Sequence, residues 1–309
     1  MRVIFAGTPL NAAATLIALK KSGIEIVGVL TRTDAPAGRK KVMVQSSVAD
    51  VASSLGLPVI KANQVDQQTL EMILALNPDL GVVVAYGAFL SEEVLNALPK
   101  GWINLHYSLL PALRGAAPVQ HALLQGFPST GVTAFQLDRG MDTGPILIQV
   151  PTSIERNENA GRLLSRLTDL GVSALLEVLP AIAAGIAVAK PQDAAQISFA
   201  PKINRVDAEI DWSETASQIE NKVRAMNPEP VAWTMLNTES FRILEACAVA
   251  TNVSSVSIGS VQLIDGKVLV QTSSGSLHLV TVQPAGKNEM TATDWFRGVK
   301  NKECIVFGS

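Results

Sequence analysis

The stretch "DLGVVVAY", Asp79 to Tyr86, decides the fold class that this sequence predicts. Its apolar residues are continuous and do not alternate with polar ones, which is typical of a strand buried on both faces of a sheet. Similar runs and helical patterns alternate over residues 1–150. The other strand runs are "RVIFA", "IEIVGVL", "WINLH", "GVTAFQL" and "PILIQV", and the helical patterns are "NAAATLIALKKSG" and "QQTLEMILAL". This alternation predicts an α/β domain with a doubly wound, mostly parallel sheet covered on both faces.

The second part of the chain has a different pattern. A long helix is expected over roughly residues 157–183, and residues 189–205 have no sustained period and read as a linker. Residues 206–309 then contain one helix and several short strands, separated by turn signals such as "IDGK" and "SSGS". These features predict a small antiparallel barrel of the OB type. We therefore expect a first domain over 1–188 and a second over 206–309.

The overall composition excludes several classes of protein. The 309 residues are 48% hydrophobic with a formal net charge of -2, which gives no global signal for nucleic acid or membrane surfaces. Cys247 and Cys304 form no CxxC motif, so we expect reduced thiols of a cytoplasmic protein and no zinc site. We expect no leader peptide, because Met1 leads directly into the strand run "RVIFAG" and not into a charged or amphipathic leader. We expect no membrane span, because no uninterrupted apolar run approaches about 18 residues.

The first turn, "FAGTP", does not have the glycines of a dinucleotide-binding loop. Gly7 stands alone where G-x-G-x-x-G would be needed. The stretch is therefore better explained as the start of a helix than as a phosphate-binding site, which argues against a nicotinamide cofactor. Thr8 is expected to be the N-cap of the first helix, with Pro9 as its first residue.

The stretch "INLHYSLLP", Ile103 to Pro111, ends an apolar strand with two polar side chains on the same face. Asn104 and His106 are two residues apart, and alternate side chains of a strand point the same way. Asp142 lies in "LDRGMDTGPIL", a turn between two strands that can return to the same sheet edge. Each residue alone is more often structural, as a strand-end histidine or a turn-forming aspartate. Together, with no serine or cysteine nucleophile, they suggest acyl transfer by direct attack, in which Asn104 and a protonated His106 donate to an oxyanion.

The segments "INLHYSLLPALRGAAPVQHALLQG" and "TGVTAFQLDRGMDTGPIL" resemble the methionyl-tRNA formyltransferase family. The similarity extends from "RVIFAGTP" through "VVVAYG" to "AEIDW", "RAMNPEPVAW" and "QPAGK", and so covers nearly the whole chain. It implies a formyltransferase fold followed by an OB-like tRNA-binding domain. It also implies transfer of a formyl group from 10-formyltetrahydrofolate to initiator methionyl-tRNA, in the cytoplasm, without a metal.

The resemblance assigns roles to individual positions. Asn104, His106 and Asp142 are implied to be catalytic. Asp142 is expected either to keep His106 charged or to accept a proton and pass it through water to N10 of the folate. Two segments are implied to contact the folate. The first is the turn after the strand, with Ser108, Leu109, Leu110 and Pro111. The second is the loop that would line the pterin pocket, with Tyr86, Gly87, Ala88, Phe89 and Leu90. The basic run Arg39, Lys40 and Lys41, which would otherwise read as a solvated loop, is implied to hold the acceptor arm of the tRNA.

The chain departs from the usual family pattern at several places. Ala112 and Leu113 stand where a basic and an aromatic residue are common, and Pro145 replaces an aspartate after "DTG". Residues 200–309 contain 6 Lys and 4 Arg against 4 Asp and 8 Glu, a net charge of -2, although phosphate binding needs a basic surface. The second domain therefore lacks the positive excess that tRNA binding would lead one to expect.

Two other classes of function remain open from the sequence. One is a different folate enzyme, such as a sugar-nucleotide formyltransferase or a 10-formyltetrahydrofolate hydrolase, against which the second domain argues. The other is a non-catalytic RNA-binding module, which would not need Asn104, His106 and Asp142 together.

Overall fold

The computed structural model describes residues 1–38, 41–250, 257–300 and 305–308. The chain forms two units. Unit 1 consists of Met1–Pro118, Ser129–Ser153 and Leu164–Ala200, and unit 2 consists of Val119–Pro128, Ile154–Leu163 and Pro201–Ser309. Residues 189–200, which the sequence predicted as linker, therefore group with unit 1.

The strands and helices before residue 190 follow the predicted alternation. The strands are β1 (Arg2–Gly7), β2 (Glu25–Thr31), β3 (Ala35–Ala37), β4 (Val42–Val44), β5 (Val59–Lys61), β6 (Leu80–Val84), β7 (Trp102–His106), β8 (Ser129–Gln136) and β9 (Ile146–Ser153). The helices are α1 (Leu10–Lys21), α2 (Ser47–Ser54), α3 (Gln67–Ala75), α4 (Glu92–Asn96), α5 (Pro118–Leu124) and α6 (Ala160–Ala184).

Seven of these strands form one sheet, in the order β5-β2-β1-β6-β7-β8-β9. The pairs from β5 to β7 are parallel, and β8 and β9 add antiparallel strands at one edge. All residues of β6 are buried, as its continuous apolar run predicted. The strand order reverses between β1 and β6, and ligands of such sheets bind outside the carboxyl ends of the strands near a reversal of this kind. The prediction of a doubly wound, mostly parallel sheet is confirmed.

The start of α1 differs from the prediction. The helix begins at Leu10 and Pro9 occupies the N-cap position, without a side-chain cap. The hydroxyl of Thr8 instead donates to the carbonyl of Tyr86, at 2.9 Å. Thr8 therefore joins the loop after β1 to the loop after β6.

The long helix predicted over 157–183 is α6, which begins at Ala160. By length and composition alone, it is the one helix in the described part of the chain that could cross a membrane, a test that the core helices of globular proteins also pass. Gly171 places α6 close to the sheet, since a Cβ at that position would meet the Leu105 side chain of β7 at 2.5 Å. Leu163, Leu167 and Leu175 of α6 are fully buried.

Unit 2 contains the predicted antiparallel strands. Its elements after residue 200 are α7 (Ala216–Ala225), β10 (Ala232–Leu236), β11 (Glu239–Val249), β12 (Val261–Ile264), β13 (Lys267–Gln271), β14 (Ser276–Gln283), β15 (Met290–Thr291) and α8 (Ala292–Gly298). The sheet order is β10-β11-β14-β13-β12, and β15 also pairs with β14.

The last residues of unit 2 connect the two edges of its sheet. Phe307 pairs with Leu236 at the end of β10, and Val306 pairs with Ser260 just before β12. The Phe307 ring stacks on Trp212 inside an aromatic core that includes Phe241 and Trp295. The prediction of a barrel-like antiparallel second domain is confirmed.

Candidate active site

The carboxyl ends of β6 and β7 line a cavity of ≈ 450 Å³ in unit 1. Asn104 and His106 of β7 both line it, as the alternation of strand side chains predicted. Asp142, in the turn between β8 and β9, lines it too. The structure thus brings the three predicted catalytic residues together, although Asp142 is 36 or more positions away from the other two in the chain.

The two ring nitrogens of His106 have different neighbours. Nε2 lies 2.9 Å from the carbonyl oxygen of Leu113, and a carbonyl can only accept, so Nε2 carries a proton. Nδ1 lies 3.8 Å from Oδ2 of Asp142, which is close enough for a strong charge interaction but too long for a hydrogen bond. Nδ1 is consequently the ring nitrogen that can exchange a proton in the cavity.

Two opposing effects determine the pKa of His106, namely burial of the ring and the negative charge of Asp142. Burial of the ring lowers its pKa below the usual 6.5, and this effect exceeds the opposite effects of the Asp142 carboxylate and of the hydrogen bond to Leu113. Near pH 7 the ring is therefore mainly neutral, with its proton on Nε2. This corrects the expectation that Asp142 keeps His106 charged, because the carboxylate opposes the effect of burial without overcoming it.

Asp142 is held by the backbone of the "RGAAP" segment. Its Oδ2 accepts a hydrogen bond of 2.7 Å from the amide of Gly115. Asp142 has a φ of 55° and Leu113 has a φ of 60°, left-handed values that are uncommon for residues other than glycine. Both residues that face the His106 ring are thus in conformations that the surrounding contacts must maintain.

Substituting Gly115 by alanine is expected to lower kcat at least about 10-fold, since small displacements of a positioned group reduce rates strongly. Gly115 has a φ of 125°, and a Cβ there would meet the carbonyl oxygen of Ala200 at 2.6 Å. The amide that holds Asp142 must therefore shift. Steady-state kinetics of the variant provide the test. The control is Gly298→Ala, because a Cβ at that position meets nothing within 4 Å. An unchanged kcat in Gly115→Ala would contradict the prediction.

Asn104 offers an unengaged amide to the cavity. Its side chain is half-buried, and within the described ranges it has no hydrogen-bond partner from the protein. An amide NH₂ that lines a cavity without a protein acceptor is available to a ligand oxygen. Asn104 and Nδ1 of His106 are the polar groups that β7 presents to a reacting carbonyl.

The predicted pterin loop also lines the cavity, since Tyr86, Gly87, Ala88, Phe89 and Leu90 all contribute to its wall. The loop is held from below by three hydrogen bonds. The Tyr86 hydroxyl donates to the carbonyl of Ala62, Thr8 donates to the carbonyl of Tyr86, and Arg32 donates to the carbonyl of Gly87. An apolar wall with few polar groups is typical of a site for a flat aromatic ligand.

The other segment predicted to contact the folate, Ser108 to Pro111, does not line the cavity. Ser108 is buried and its hydroxyl donates to the carbonyl of Ala112, while Leu110 is buried and its amide donates to Thr133. This segment forms the turn that follows β7. Direct contact of its side chains with a ligand stays a prediction.

The basic loop is described only in part. Arg39 and Lys40 lie outside the described residues. Lys41 is exposed and does not line the cavity. Among the described residues, no group of three or more His, Cys, Asp or Glu side chains could hold a metal ion.

Sequence reasoning missed the groups that act through their backbone or from a distant segment. The Leu113 carbonyl, the Gly115 amide and the Gln192 side chain all contact His106 or the Asp142 turn. The Gly in "RGAAP" was the one available signal, since a glycine between a strand end and a helix often marks a positive φ. Gln192 gave no signal, because it lies in a segment without periodicity.

Comparisons with known proteins cover the chain from end to end. Residues 1–179 match the formyl transferase family, and residues 202–300 match the formyl transferase C-terminal domain. The chain is 44% identical over 308 residues to a methionyl-tRNA formyltransferase of Renibacterium salmoninarum, with 100% of both chains covered. It is 46% identical over 308 residues to that of Arthrobacter sp. (strain FB24), covering 99% of this chain and 100% of the relative.

Two solved structures show the same fold at low sequence identity. One is methionyl-tRNA formyltransferase from Clostridium thermocellum, with a TM-score of 0.58 and 14% identity, covering 93% of this chain and 100% of that chain. The other is WlaRD, a sugar 3N-formyl transferase, with a TM-score of 0.69 and 17% identity, covering 93% of this chain and 99% of that chain.

Proposed function

The chain belongs to the methionyl-tRNA formyltransferase family, and we propose that it transfers the formyl group of 10-formyltetrahydrofolate to the α-amino group of methionine on initiator tRNA. The observation that carries this proposal is the identity of 41–46% to relatives of that name over nearly the full chain. The reaction takes place in the cytoplasm, where the product serves translation initiation. The cavity that holds Asn104, His106 and Asp142 is the place of the chemistry.

The reaction replaces one C–N bond by another. The amine nitrogen of methionine attacks the formyl carbon, the carbonyl oxygen becomes an oxyanion, and the bond from that carbon to N10 of the folate then breaks. The proton lost by the amine is returned to N10. Because an α-amino group has a pKa of about 7.7–8.0, only a minority of the amine is neutral at pH 7, and a base near it favours attack.

The residues of the cavity supply these needs in different ways. Asn104 donates its free amide hydrogen to the developing oxyanion. The neutral ring of His106 accepts the amine proton at Nδ1, since Nε2 is bonded to the Leu113 carbonyl. The imidazolium that forms is stabilised by the Asp142 carboxylate at 3.8 Å, and it returns the proton toward N10. No step requires a covalent intermediate on the protein.

The folate is proposed to bind with its pterin ring between the 86–90 loop and the turn of Asp142. Phe89 is 75% exposed and lies at the cavity wall, so a bound ring would cover apolar surface that is otherwise in water. Backbone groups of a rigid loop can read the edge of the pterin while the side chains cover its faces.

The test of this function compares acceptors in one assay. The purified protein is incubated with 10-formyltetrahydrofolate and initiator methionyl-tRNA, elongator methionyl-tRNA, glycinamide ribonucleotide or an amino-sugar nucleotide, and formylated product is measured for each. We expect product with initiator methionyl-tRNA above the other three. Formylation of the sugar nucleotide alone, or hydrolysis of the donor without any acceptor, would overturn the proposal.

Charge removal in the basic loop is expected to weaken tRNA binding. Residues 200–309 have a net charge of -2, so the run of Arg39, Lys40 and Lys41 is proposed to supply much of the electrostatic attraction. Replacing Arg39 and Lys41 by alanine should raise the KM for tRNA and reduce the slope of log KM against log salt by about 1 to 2. The KM for folate should not change.

The control for that experiment is the double variant Lys20→Ala/Lys21→Ala, which removes the same charge from the end of α1. Measurements at two salt concentrations, with folate saturating, separate a local contact from a general charge effect. The same KM for wild type and for the Arg39/Lys41 variant would show that the loop is only a solvated surface.

A further inference from the structure

The segment from Lys190 to Ala200, here named the strap, is hydrogen-bonded to both loops that surround His106. At its start, Lys190 and Ile146 exchange two backbone hydrogen bonds of 2.7 and 2.8 Å. At its end, the backbone amide of Arg114 donates to the carbonyl of Ser198, and the backbone carbonyl of Arg114 accepts from the amide of Ala200. The strap therefore runs from the strand after the Asp142 turn to the loop that contains Leu113.

Gln192 of the strap connects these two loops through its side chain. Its Nε2 donates to the carbonyls of Asp142 and Gly144, both at 2.8 Å. Its Oε1 accepts from Nε and Nη2 of Arg114, at 3.1 and 2.5 Å. Arg114 itself is buried. All of these donor and acceptor roles are fixed, since backbone carbonyls cannot donate and guanidinium nitrogens cannot accept.

Gln192 contacts Asp142 directly and reaches Leu113 only through its neighbour Arg114, and Leu113 and Asp142 are the residues that face the two nitrogens of His106. Arg114 directly follows Leu113, whose carbonyl holds Nε2, and Asp142 provides the carboxylate that faces Nδ1. Both Leu113 and Asp142 have left-handed backbone conformations, which need external contacts to persist. The side chain of Gln192 can thus influence the positions of both Leu113 and Asp142.

We propose that Gln192, held by Arg114, is a positioning residue for formyl transfer: it fixes the distance between the Asp142 carboxylate and the His106 ring. This inference rests on the proposed function for its kinetic consequence. Gln192 does not line the cavity, so it acts on the reaction through Asp142 and Leu113 and not by touching substrate.

The main variant is Gln192→Met, which keeps the length of the side chain, adds no charge and removes all four hydrogen bonds. Because displacement of a catalytic group by about 1 Å can cost about 100-fold in rate, kcat is expected to fall about 10- to 100-fold. The KM for folate should change less than about threefold, because the 86–90 loop has its own supports. Gln196→Met is the matched control, since Gln196 is exposed in the same strap and bonds within it to Asp193.

Titration of His106 by NMR gives a readout that does not depend on activity. The chain has three histidines, and ¹⁵N labelling resolves their ring signals one by one. Asp142 is the charged group that raises the pKa of His106, so its displacement in Gln192→Met should move the titration to lower pH. An unchanged titration together with a kcat within threefold of wild type would overturn the proposal.

A second variant covers the case in which Gln192→Met does not fold. Gln192→Glu keeps an acceptor for Arg114 but cannot donate to the carbonyls of Asp142 and Gly144, and kcat should fall similarly. A wild-type kcat in this variant would overturn the positioning role. If the wild-type protein formylates no acceptor, the proposed function fails, whereas the NMR titration still decides whether Gln192 positions Asp142.

Discussion

Asn104→Ala is expected to lower kcat for formyl transfer about 100- to 1,000-fold, the usual effect of removing one oxyanion donor. The amide of Asn104 has no protein acceptor among the described residues, so its hydrogen is free for the carbonyl oxygen of the formyl group. The donation becomes stronger as negative charge develops on that oxygen, and the loss should therefore appear in kcat and not in the KM for folate. Single-turnover kinetics with saturating folate and methionyl-tRNA measure it.

The control for this prediction is Asn96→Ala, which makes the same change at an exposed position at the end of α4. Thermal unfolding should be nearly unchanged in both variants, because truncating an amide that bonds no protein group leaves no buried partner unsatisfied. A rate for Asn104→Ala above about a tenth of wild type would remove Asn104 from the oxyanion site.

The pairing of Asn104 with His106 could be predicted from the sequence because strands have a strict period of two. The continuous apolar runs of β1, β2 and β6 predicted the parallel sheet for a similar reason, since a strand covered on both faces has no polar side to show. Asp142 required an additional assumption, namely that the turn between β8 and β9 returns to the edge where β7 ends. Sheet topology and not local pattern decides that return, and the structure places the turn there.

Several other features of the site depend on backbone groups or on tertiary contacts, and the identity of a residue does not predict these. Leu113 holds Nε2 of His106 by its carbonyl, and any side chain would offer the same acceptor. Thr8 was predicted as a helix cap because threonine favours that position, but its hydroxyl bonds to the loop after β6, a tertiary contact between residues 78 positions apart. The charge of His106 was wrongly predicted because burial of the ring becomes known only with the fold.

The contacts of the segment 189–205 could not be predicted from its sequence pattern. Its lack of period and its two prolines predicted a linker, and the structure indeed gives its first part no long helix or strand. The backbone of 190–200 is nevertheless paired with Ile146 and Arg114, contacts that require no periodicity in the sequence. Irregular chain can therefore be an integral part of a site when its hydrogen bonds go to other loops.

Asp142→Asn is expected to reduce kcat by about 100- to 10,000-fold, the range associated with loss of a group that assists proton transfer. The asparagine keeps the size of the side chain, and its carbonyl oxygen can still accept from the amide of Gly115, so the turn and folate binding should persist. The negative charge that stabilises the His106 imidazolium during the reaction is lost. The measurement is kcat as a function of pH, beside folate affinity determined by calorimetry.

The direction of the pH effect follows from the charges around the ring. Burial already lowers the pKa of His106 below 6.5, and the Asp142 carboxylate is the charged group that opposes this. Removing the carboxylate lowers that pKa further, so the limb of the pH–rate profile that belongs to His106 should move to lower pH. Asp169→Asn, on the exposed face of α6, changes the protein's charge equally and should leave the limb in place. A profile for Asp142→Asn with wild-type limbs and near wild-type rate would mean that Asp142 only forms the turn, and the proton must then leave the amine by a path that does not involve His106.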